Sequence, residues 1–173
     1  DQGKQMIDEG ADIIDIGGES TRPGSARVSV AEQIERVVHI ITAISETKPE
    51  HVEISIDTTR AKVAAAALDA GASIVNDVSG GNDDPEMINL CAEKNCPYVI
   101  MHMSGTPETM QTDPVYDDVV SEIKLFLETR VEDCIKAGVD NNNIIIDVLF
   151  CYFYFCFCKI YYQIESIFED SIR

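Results

Sequence analysis

The sequence predicts an α/β fold with parallel strands, and three observations lead to that prediction. Short apolar runs alternate with amphipathic helical patterns along residues 1–147. The runs are apolar on both faces, which is typical of strands that helices cover in a parallel sheet. Polar residues gather where each run ends. Because βαβ crossovers are right-handed, such a chain packs its helices against its sheet.

The predicted strands are short and rich in β-branched residues. They span residues 13–16, 52–56, 73–78, 98–102 and 144–147. The predicted helices lie between them and span residues 30–45, 60–70, 87–94 and 117–137. Gly71 and Gly138 follow the second and fourth helices, as glycine does at helix C-termini. Asp84 and Pro85 supply an N-cap and a first-turn proline for the third helix.

Composition excludes several classes of function. The chain has 173 residues, 13 basic against 31 acidic side chains and a formal net charge of −18. Surface binding of nucleic acid or anionic lipid needs clustered Lys and Arg, so we expect neither partner. The longest uncharged aromatic run, residues 148–158, is shorter than the about 20 residues of a spanning helix. We therefore expect no membrane association, no secretion, and a cytoplasmic or mitochondrial location.

The six cysteines contain no C-x-x-C pair. In a domain of this size they are expected to be reduced core residues, with no zinc site.

Residues 148–173 differ in composition from the rest and are treated as a second segment, a divergent tail. They hold nine of the twelve aromatic residues and no glycine. Their uncharged aromatic stretch predicts aggregation. One interpretation is a buried terminal strand. The other, which we favour, is a translated intron or frameshifted sequence that replaces the continuation of the domain formed by residues 1–147.

The polar residues at the strand ends indicate a barrel. They lie at positions 15–22, 57–59, 76–77, 102–104 and 147. A barrel collects its site from the carboxyl ends of many strands. A nucleotide-binding sheet would show one glycine-rich turn and few other polar ends.

The loop after the first strand can bind an oxyanion. Its Ser20 and Thr21 hydroxyls and the Arg22 guanidinium precede Pro23, and an Arg beside a hydroxyl suits a phosphate group. The alternative is an ordinary βα loop with an Arg-Pro-Gly turn. Spacing alone leaves both open.

Asp57, Asn76 and Asp147 suit a flat heterocycle with a donor-rich edge, because carboxylates accept from N–H groups and a carboxamide both donates and accepts. Individually, Asp57 could cap a helix and Asn76 could serve a turn. Met101 could pack on a ring or in the core. His102, on the other side of that strand, could be a general base or a hydrogen-bonded rim residue, and we favour the latter.

Four motifs of the sequence resemble those of the dihydropteroate synthase family of pterin-binding enzymes. They are DIGGESTRPG at 15–24, SIDT at 55–58, NDVSG at 76–80, and MHM at 101–103 followed by TMQ at 109–111. The STRPG loop distinguishes this family from the methyltetrahydrofolate corrinoid methyltransferases, which share the pterin pocket. The resemblance implies a partial (β/α)8 TIM barrel of about strands 2 to 6.

The resemblance also implies an activity. The family joins p-aminobenzoate to 6-hydroxymethyl-7,8-dihydropterin pyrophosphate with Mg²⁺ and releases pyrophosphate. Asp57, Asn76 and Asp147 would bind the pterin edge, and Met101 would pack on its ring. The p-aminobenzoate site would contain Thr21, Arg22 and Pro23, of which Thr21 and Arg22 would act in catalysis.

The sequence departs from the family pattern at two places. The family's metal-binding asparagine belongs to a loop that lies before residue 1, and Val148-Leu-Phe-Cys stands where the family has Pro-Gly-x-Gly-Phe-Gly-Lys. We therefore expect this chain to be impaired or inactive, and expect a homodimer only of the full-length parent. The alternatives are a non-catalytic pterin or folate module, a methyltetrahydrofolate-type barrel, and a barrel enzyme for another phosphorylated substrate.

Overall fold

The computed structural model describes residues 2–20, 27–102 and 117–147, together with the backbone of residues 161–163. The strands are β1 (Ile13–Gly17), β2 (Glu53–Asp57), β3 (Ile74–Asp77), β4 (Tyr98–Met101), β5 (Ile144–Asp147) and β6 (Tyr161–Gln163). The helices are α1 (Gln2–Asp8), α2 (Val30–Ser45), α3 (Ala61–Asp69), α4 (Glu86–Lys94) and α5 (Val119–Ala137), with a 3₁₀ turn at Asn141–Asn143.

The five predicted strands and four predicted helices are present, and their bounds differ from the prediction by at most two residues. Helix α1 was not predicted, because this short helix buries none of its residues and has no apolar stripe. The predicted third and fourth strands were too long at their carboxyl ends, where the chain leaves the sheet at Asp77 and Met101.

The sheet has the strand order of the sequence, β1 to β6, and its first five strands are parallel. A doubly wound sheet reverses its strand order at one point, which moves its helices to both faces. This sheet does not reverse among the described strands, and α2, α3, α4 and α5 pack each against the next. The helices therefore share one face, as in a barrel.

The core lies between this helix layer and the sheet. Alternate strand residues face the helices, and most are almost fully buried: Ile14, Ile54, Ile56, Val75, Ile100, Ile144 and Ile146. On the helices, Val37, Ile41, Val63 and Val131 complete the layer. The period of two along each strand thus separates a helix-facing side from the opposite side, which is called the inner face below.

Asp84 joins two helices rather than capping one. Its Oδ1 accepts a 3.2 Å hydrogen bond from the Glu86 backbone N–H at the start of α4. Its Oδ2 accepts a 2.9 Å bond from the Ala61 N–H at the start of α3. The carboxylate therefore satisfies N–H groups at two helix N-termini, where a negative charge is favourable.

The tail contributes one described element. β6 lies antiparallel beside β5, with Tyr162 opposite Ile146 in the register. The other residues predicted as the divergent tail lie outside the described residues. The three described cysteines, Cys91, Cys96 and Cys134, are free and buried, which confirms the prediction for them. Within the described part of the chain, every helix is too short or too polar for a membrane-spanning segment.

Candidate functional site

The sequence-predicted site residues on β2 and β3 are neighbours on the inner face. Asp57 of β2 is the register partner of Asn76 of β3, and Gly17 of β1 is the register partner of Asp57. In a parallel ladder, register partners point to the same side from strands about 4.8 Å apart. A carboxylate and a carboxamide therefore stand side by side at one mouth of the sheet.

Asp57 is partly exposed, and its Oδ1 is buried. The alternative interpretation, a cap for α3, does not describe its position. Arg60 occupies the N-cap of α3, the Thr58 hydroxyl accepts from the Arg60 N–H at 3.2 Å, and Asp84 accepts from the next N–H. The start of α3 thus takes its hydrogen bonds from other side chains, and Asp57 stays at the inner face.

Met101 and Asp147 form a second pair, on β4 and β5. They are register partners and are both 9% exposed. Val99, not Met101, is level with Asn76. The second pair therefore lies two residues, or about 7 Å, nearer the carboxyl ends of the strands than the first. Asp57 and Asn76 therefore lie at one level of the inner face, and Met101 and Asp147 lie at the next level. The apolar Met101 stands between the polar Asn76 and Asp147.

Asp15 belongs to this set, although it was not among the predicted site residues. Its Oδ2 accepts a 3.2 Å hydrogen bond from Nδ2 of Asn76. The sequence analysis counted Asp15 among the polar residues at strand ends but gave it no role in the site, and the structure places it in the middle of β1. The alternation along β1 could have found it, since Ile14 and Ile16 are buried on one side and Asp15 lies on the other.

Asp77, which follows Asn76, faces the helices and is fully buried. Its carboxylate accepts bonds of 2.7 to 2.9 Å from the Ser79 N–H and hydroxyl, the Gly81 N–H and the Tyr98 hydroxyl. Burial raises the pKa of this carboxyl, against the opposing effect of those hydrogen bonds. Asp77 therefore holds the loop after β3, and it does not belong to the inner face.

His102 also points away from the inner face. Its ring meets the Phe126 ring of α5 edge-on, with 4.9 Å between centroids. Partial burial lowers the pKa of this imidazole, and the nearby Glu122 opposes that shift. A base for chemistry at the inner face would have to point to the other side of β4.

Thr21, Arg22 and Pro23 lie outside the described residues, but the chain on either side of them is held by side-chain contacts. Nη2 of Arg27 is 2.9 Å from Oδ2 of Asp83, which also accepts a 3.1 Å bond from the Thr59 hydroxyl. The other guanidinium nitrogen of Arg27 lies 3.7 Å from a Glu19 carboxylate oxygen. Arg27 thus links the loops that follow β1, β2 and β3.

Gly18 permits close packing of the first loop on α2. A Cβ at this position would lie 3.0 Å from backbone atoms of Gln33, so the backbone of α2 would have to shift by a few tenths of an ångström to admit it. The carbonyl of Gly18 accepts a 3.0 Å bond from the Arg36 guanidinium. A Cβ at Gly17, in contrast, would make ordinary contacts of 3.4 and 3.5 Å with Asp57.

The inner face is acidic and rich in hydrogen-bond acceptors. Its described strand residues include four carboxylates, Asp15, Glu53, Asp57 and Asp147, and no Lys or Arg. Acceptors of this kind suit a planar ligand whose edge carries N–H groups. Residues 2–20, 27–102 and 117–147 bring no three His, Cys, Asp or Glu side chains together as a metal site.

Comparison with known proteins gives consistent results. A family model described as pterin binding enzyme matches residues 1–159. The dihydropteroate synthase of Bacillus subtilis is 47% identical over 144 residues, which cover 83% of this chain and 47% of that protein. The dihydropteroate synthase of Synechocystis sp. is 44% identical over 146 residues, which cover 84% of this chain and 50% of that protein.

A solved structure agrees with the fold. The Yersinia pestis dihydropteroate synthase in a sulfonamide drug complex matches with a TM-score of 0.81 and 38% identity, over 86% of this chain and 53% of that chain. This likeness confirms the predicted partial barrel. The chain spans half or less of the length of the curated relatives it matches.

Proposed function

This chain belongs to the pterin binding enzyme family, and from that premise we propose that it carries the pterin site of a dihydropteroate synthase. The proposed reaction of folate biosynthesis joins p-aminobenzoate to 6-hydroxymethyl-7,8-dihydropterin pyrophosphate. The observation that carries the proposal is the pairing of Asp57 with Asn76 on the inner face, with Met101 and Asp147 beside them.

The inner face complements a pterin. The aminopyrimidine edge of the ring presents N–H donors. The carboxylates of Asp57 and Asp147 and the side-chain oxygen of Asn76 can accept hydrogen bonds from them. Met101 offers a polarizable side chain for the flat face of the ring. Each contact uses a side chain on a strand of the sheet, so little conformational entropy is lost when the ligand binds.

The proposed chemistry is a substitution at the exocyclic methylene carbon. The bond from this carbon to the pyrophosphate oxygen breaks, and the electron pair leaves with pyrophosphate. The amine nitrogen of p-aminobenzoate forms the new bond to carbon, and its proton passes to the released pyrophosphate or to water. The carbon is electron-poor and conjugated to the ring in the transition state, so the carboxylates of Asp57 and Asp147 stabilise it electrostatically.

The p-aminobenzoate site is proposed at Thr21, Arg22 and Pro23, with Thr21 and Arg22 acting in catalysis. The resemblance of the STRPG loop supports this assignment, as does the anchoring of the flanking chain through Arg27, Glu19 and Asp83. An Arg there would suit the carboxylate of p-aminobenzoate or the leaving pyrophosphate.

Among the described residues, no three His, Cys, Asp or Glu side chains lie together as ligands for a metal ion. Mg²⁺ therefore stays a family expectation, and the steps above use only the groups of the chain. The proposed partners are the two small-molecule substrates, without nucleic acid or membrane. Homodimerisation of a full-length parent, a cytoplasmic or mitochondrial location, and the division of the chain at residue 148 are likewise proposals from the sequence.

A second candidate is pterin binding without catalysis. The absence of Lys and Arg among the described inner-face residues favours it, because a pyrophosphate group carries several negative charges that carboxylates repel. In this case the acidic face recognises the ring alone.

Two measurements on the purified chain test these functions. Fluorescence titration with 6-hydroxymethylpterin measures binding of the ring, and a coupled assay measures pyrophosphate released from the two substrates. The synthase proposal expects binding together with release, and the release is expected to be impaired in this chain because Val148-Leu-Phe-Cys stands where the family has Pro-Gly-x-Gly-Phe-Gly-Lys. Binding without release supports the non-catalytic module. If Asp57→Ala leaves pterin affinity unchanged, the inner face is not the pterin site and both candidates fail.

A further inference from the structure

The hydrogen bond between Asn76 and Asp15 joins two strands that are not neighbours. β2 lies between β1 and β3 in the sheet. Their strands are therefore about 10 Å apart across the inner face, and Asn76 lies two residues nearer the carboxyl ends of the strands than Asp15. Ser55, the β2 residue level with Asp15, is small and buried, which leaves the space above it open for the contact.

This contact selects one orientation of the Asn76 carboxamide. The two ends of a carboxamide have nearly the same shape, but one is a donor and the other an acceptor. An ionised carboxylate only accepts, so Asp15 bonds the nitrogen end, at 3.2 Å. The oxygen end is then turned away from Asp15, and the charge on Asp15 strengthens the preference.

We propose that Asp15 is a positioning residue for pterin recognition, because it fixes the Asn76 carboxamide with its oxygen available to a ligand N–H beside Asp57. This inference rests on the proposed function and deepens it. Without Asp15 the carboxamide can turn, and its nitrogen then meets the N–H groups of the ring. Asp15 thereby makes the site specific for the donor edge of the ligand.

Because Asp15 is exposed, its role in binding can be tested separately from any role in the stability of the fold. Its side chain is exposed at the inner face, so its removal leaves no buried charge and no closed cavity. Asp12 supplies a matched control, because it is an exposed aspartate just before β1 and lies about 10 Å from Asp15 along the chain.

The test uses four variants of the full chain: Asp15→Ala, Asn76→Asp, the double variant Asp15→Asn with Asn76→Asp, and the control Asp12→Ala. Fluorescence titration with 6-hydroxymethylpterin measures affinity. Asp15→Ala is expected to weaken binding about tenfold, the usual effect of losing one charge-assisted hydrogen bond. Asn76→Asp places two carboxylates together and is expected to weaken it at least as much.

The double variant is the decisive arm. Its new carboxamide at position 15 can donate to the new carboxylate at position 76, so the bond is restored with reversed polarity and an oxygen again faces the ligand. Affinity is expected to return to within about threefold of wild type. Asp12→Ala is expected to bind as wild type does. A loss in Asp15→Ala that the double variant does not repair would overturn the positioning role.

A second readout is independent of the ligand. In the free protein, the side-chain amide resonances of Asn76 are expected to be dispersed in wild type and to move towards those of a solvated amide in Asp15→Ala. Unchanged resonances would overturn the inference whatever the affinities show. If wild type binds no pterin, the proposed function fails. If wild type and Asp15→Ala bind equally well, the inference fails while that function stands.

Discussion

The hydroxyl of Tyr98 donates a 2.9 Å hydrogen bond to Oδ2 of Asp77 on the helix-facing side of the sheet. Both side chains are fully buried. The same carboxylate oxygen accepts from the Gly81 N–H, and Oδ1 accepts from Ser79. One buried carboxylate thus connects β3, β4 and the loop between β3 and α4. Its neighbour in the chain, Asn76, points to the opposite side of β3.

Removal of the Asp77 carboxylate should therefore destabilise the fold. Asp77→Ala leaves the buried donors of Ser79, Gly81 and Tyr98 without their acceptor, and we expect a loss of about 3 to 5 kcal/mol. Tyr98→Phe removes one donor and should cost about 1 to 2 kcal/mol. Urea denaturation followed by circular dichroism measures both. The control is Asp69→Ala, whose surface ion pair with Lys94 should contribute less than about 1 kcal/mol. Equal losses for Asp77→Ala and the control would contradict the anchoring role.

Stability should depend on pH through His102. Because partial burial against Phe126 lowers the pKa of this imidazole below 6.5, the unfolded chain binds the proton more readily than the folded one. The contribution of His102 is therefore present above pH 6.5 and is lost as the pH falls through the lowered value.

The measurement is the unfolding free energy at about pH 7.5 and about pH 5.5, on either side of the ordinary histidine pKa, for wild type and for His102→Asn. Wild type should lose more stability between these two pH values than the variant does, since all other titrating groups are shared. If His102→Asn has the same pH dependence as wild type, or loses more stability at low pH, then burial does not lower the pKa of the His102 imidazole.

Gly17 should matter for access to the site rather than for folding. It is level with Asp57 on the inner face, and a Cβ there would meet only ordinary contacts. Gly17→Leu projects a branched side chain beside Asp57, so pterin affinity should fall at least tenfold while the melting temperature changes by only a few degrees. Gly17→Ala is the matched control and should retain most of the affinity. Equal binding by all three proteins would place the pterin elsewhere.

Arg27 should affect the second substrate and not the first. Its contacts with Asp83 and Glu19 hold the chain that follows Thr21, Arg22 and Pro23. Under the proposed function, Arg27→Gln should weaken p-aminobenzoate binding several-fold, with stability changed by less than about 1 kcal/mol. Isothermal titration with p-aminobenzoate in the presence of pterin and pyrophosphate measures this effect. Lys94→Gln, which removes another surface ion pair, is the control. An equal decrease in pterin affinity for Arg27→Gln would show that Arg27 does not act on the p-aminobenzoate site alone.

The order and type of the parallel βα elements could be predicted because they depend on local features. Apolar runs of four to six residues cannot remain in water, and the patterns between them have the period and the end residues of helices. The short helix α1 could not be predicted in this way, since seven residues without a buried side chain carry no such pattern.

The sequence predicted only those site residues that lie at the carboxyl ends of strands. Asp57, Asn76, Met101 and Asp147 were expected at one mouth, and the structure brings all four to the inner face. Asp77 was expected at the same rim but faces the helices, because the period of two turns it away from its neighbour Asn76. His102 differs from Met101 for the same reason.

By itself, the sequence determined the parallel βα order, the strand from which each polar residue comes, and the motifs that resemble one family. Only the tertiary structure decided that Asp15 meets Asn76 across β2 and that Asp84 serves two helices. The physical reason is that alternation assigns a residue to a side of its own strand. The register between strands, which depends on the packing of the whole sheet, decides which residues of different strands come within hydrogen-bonding distance.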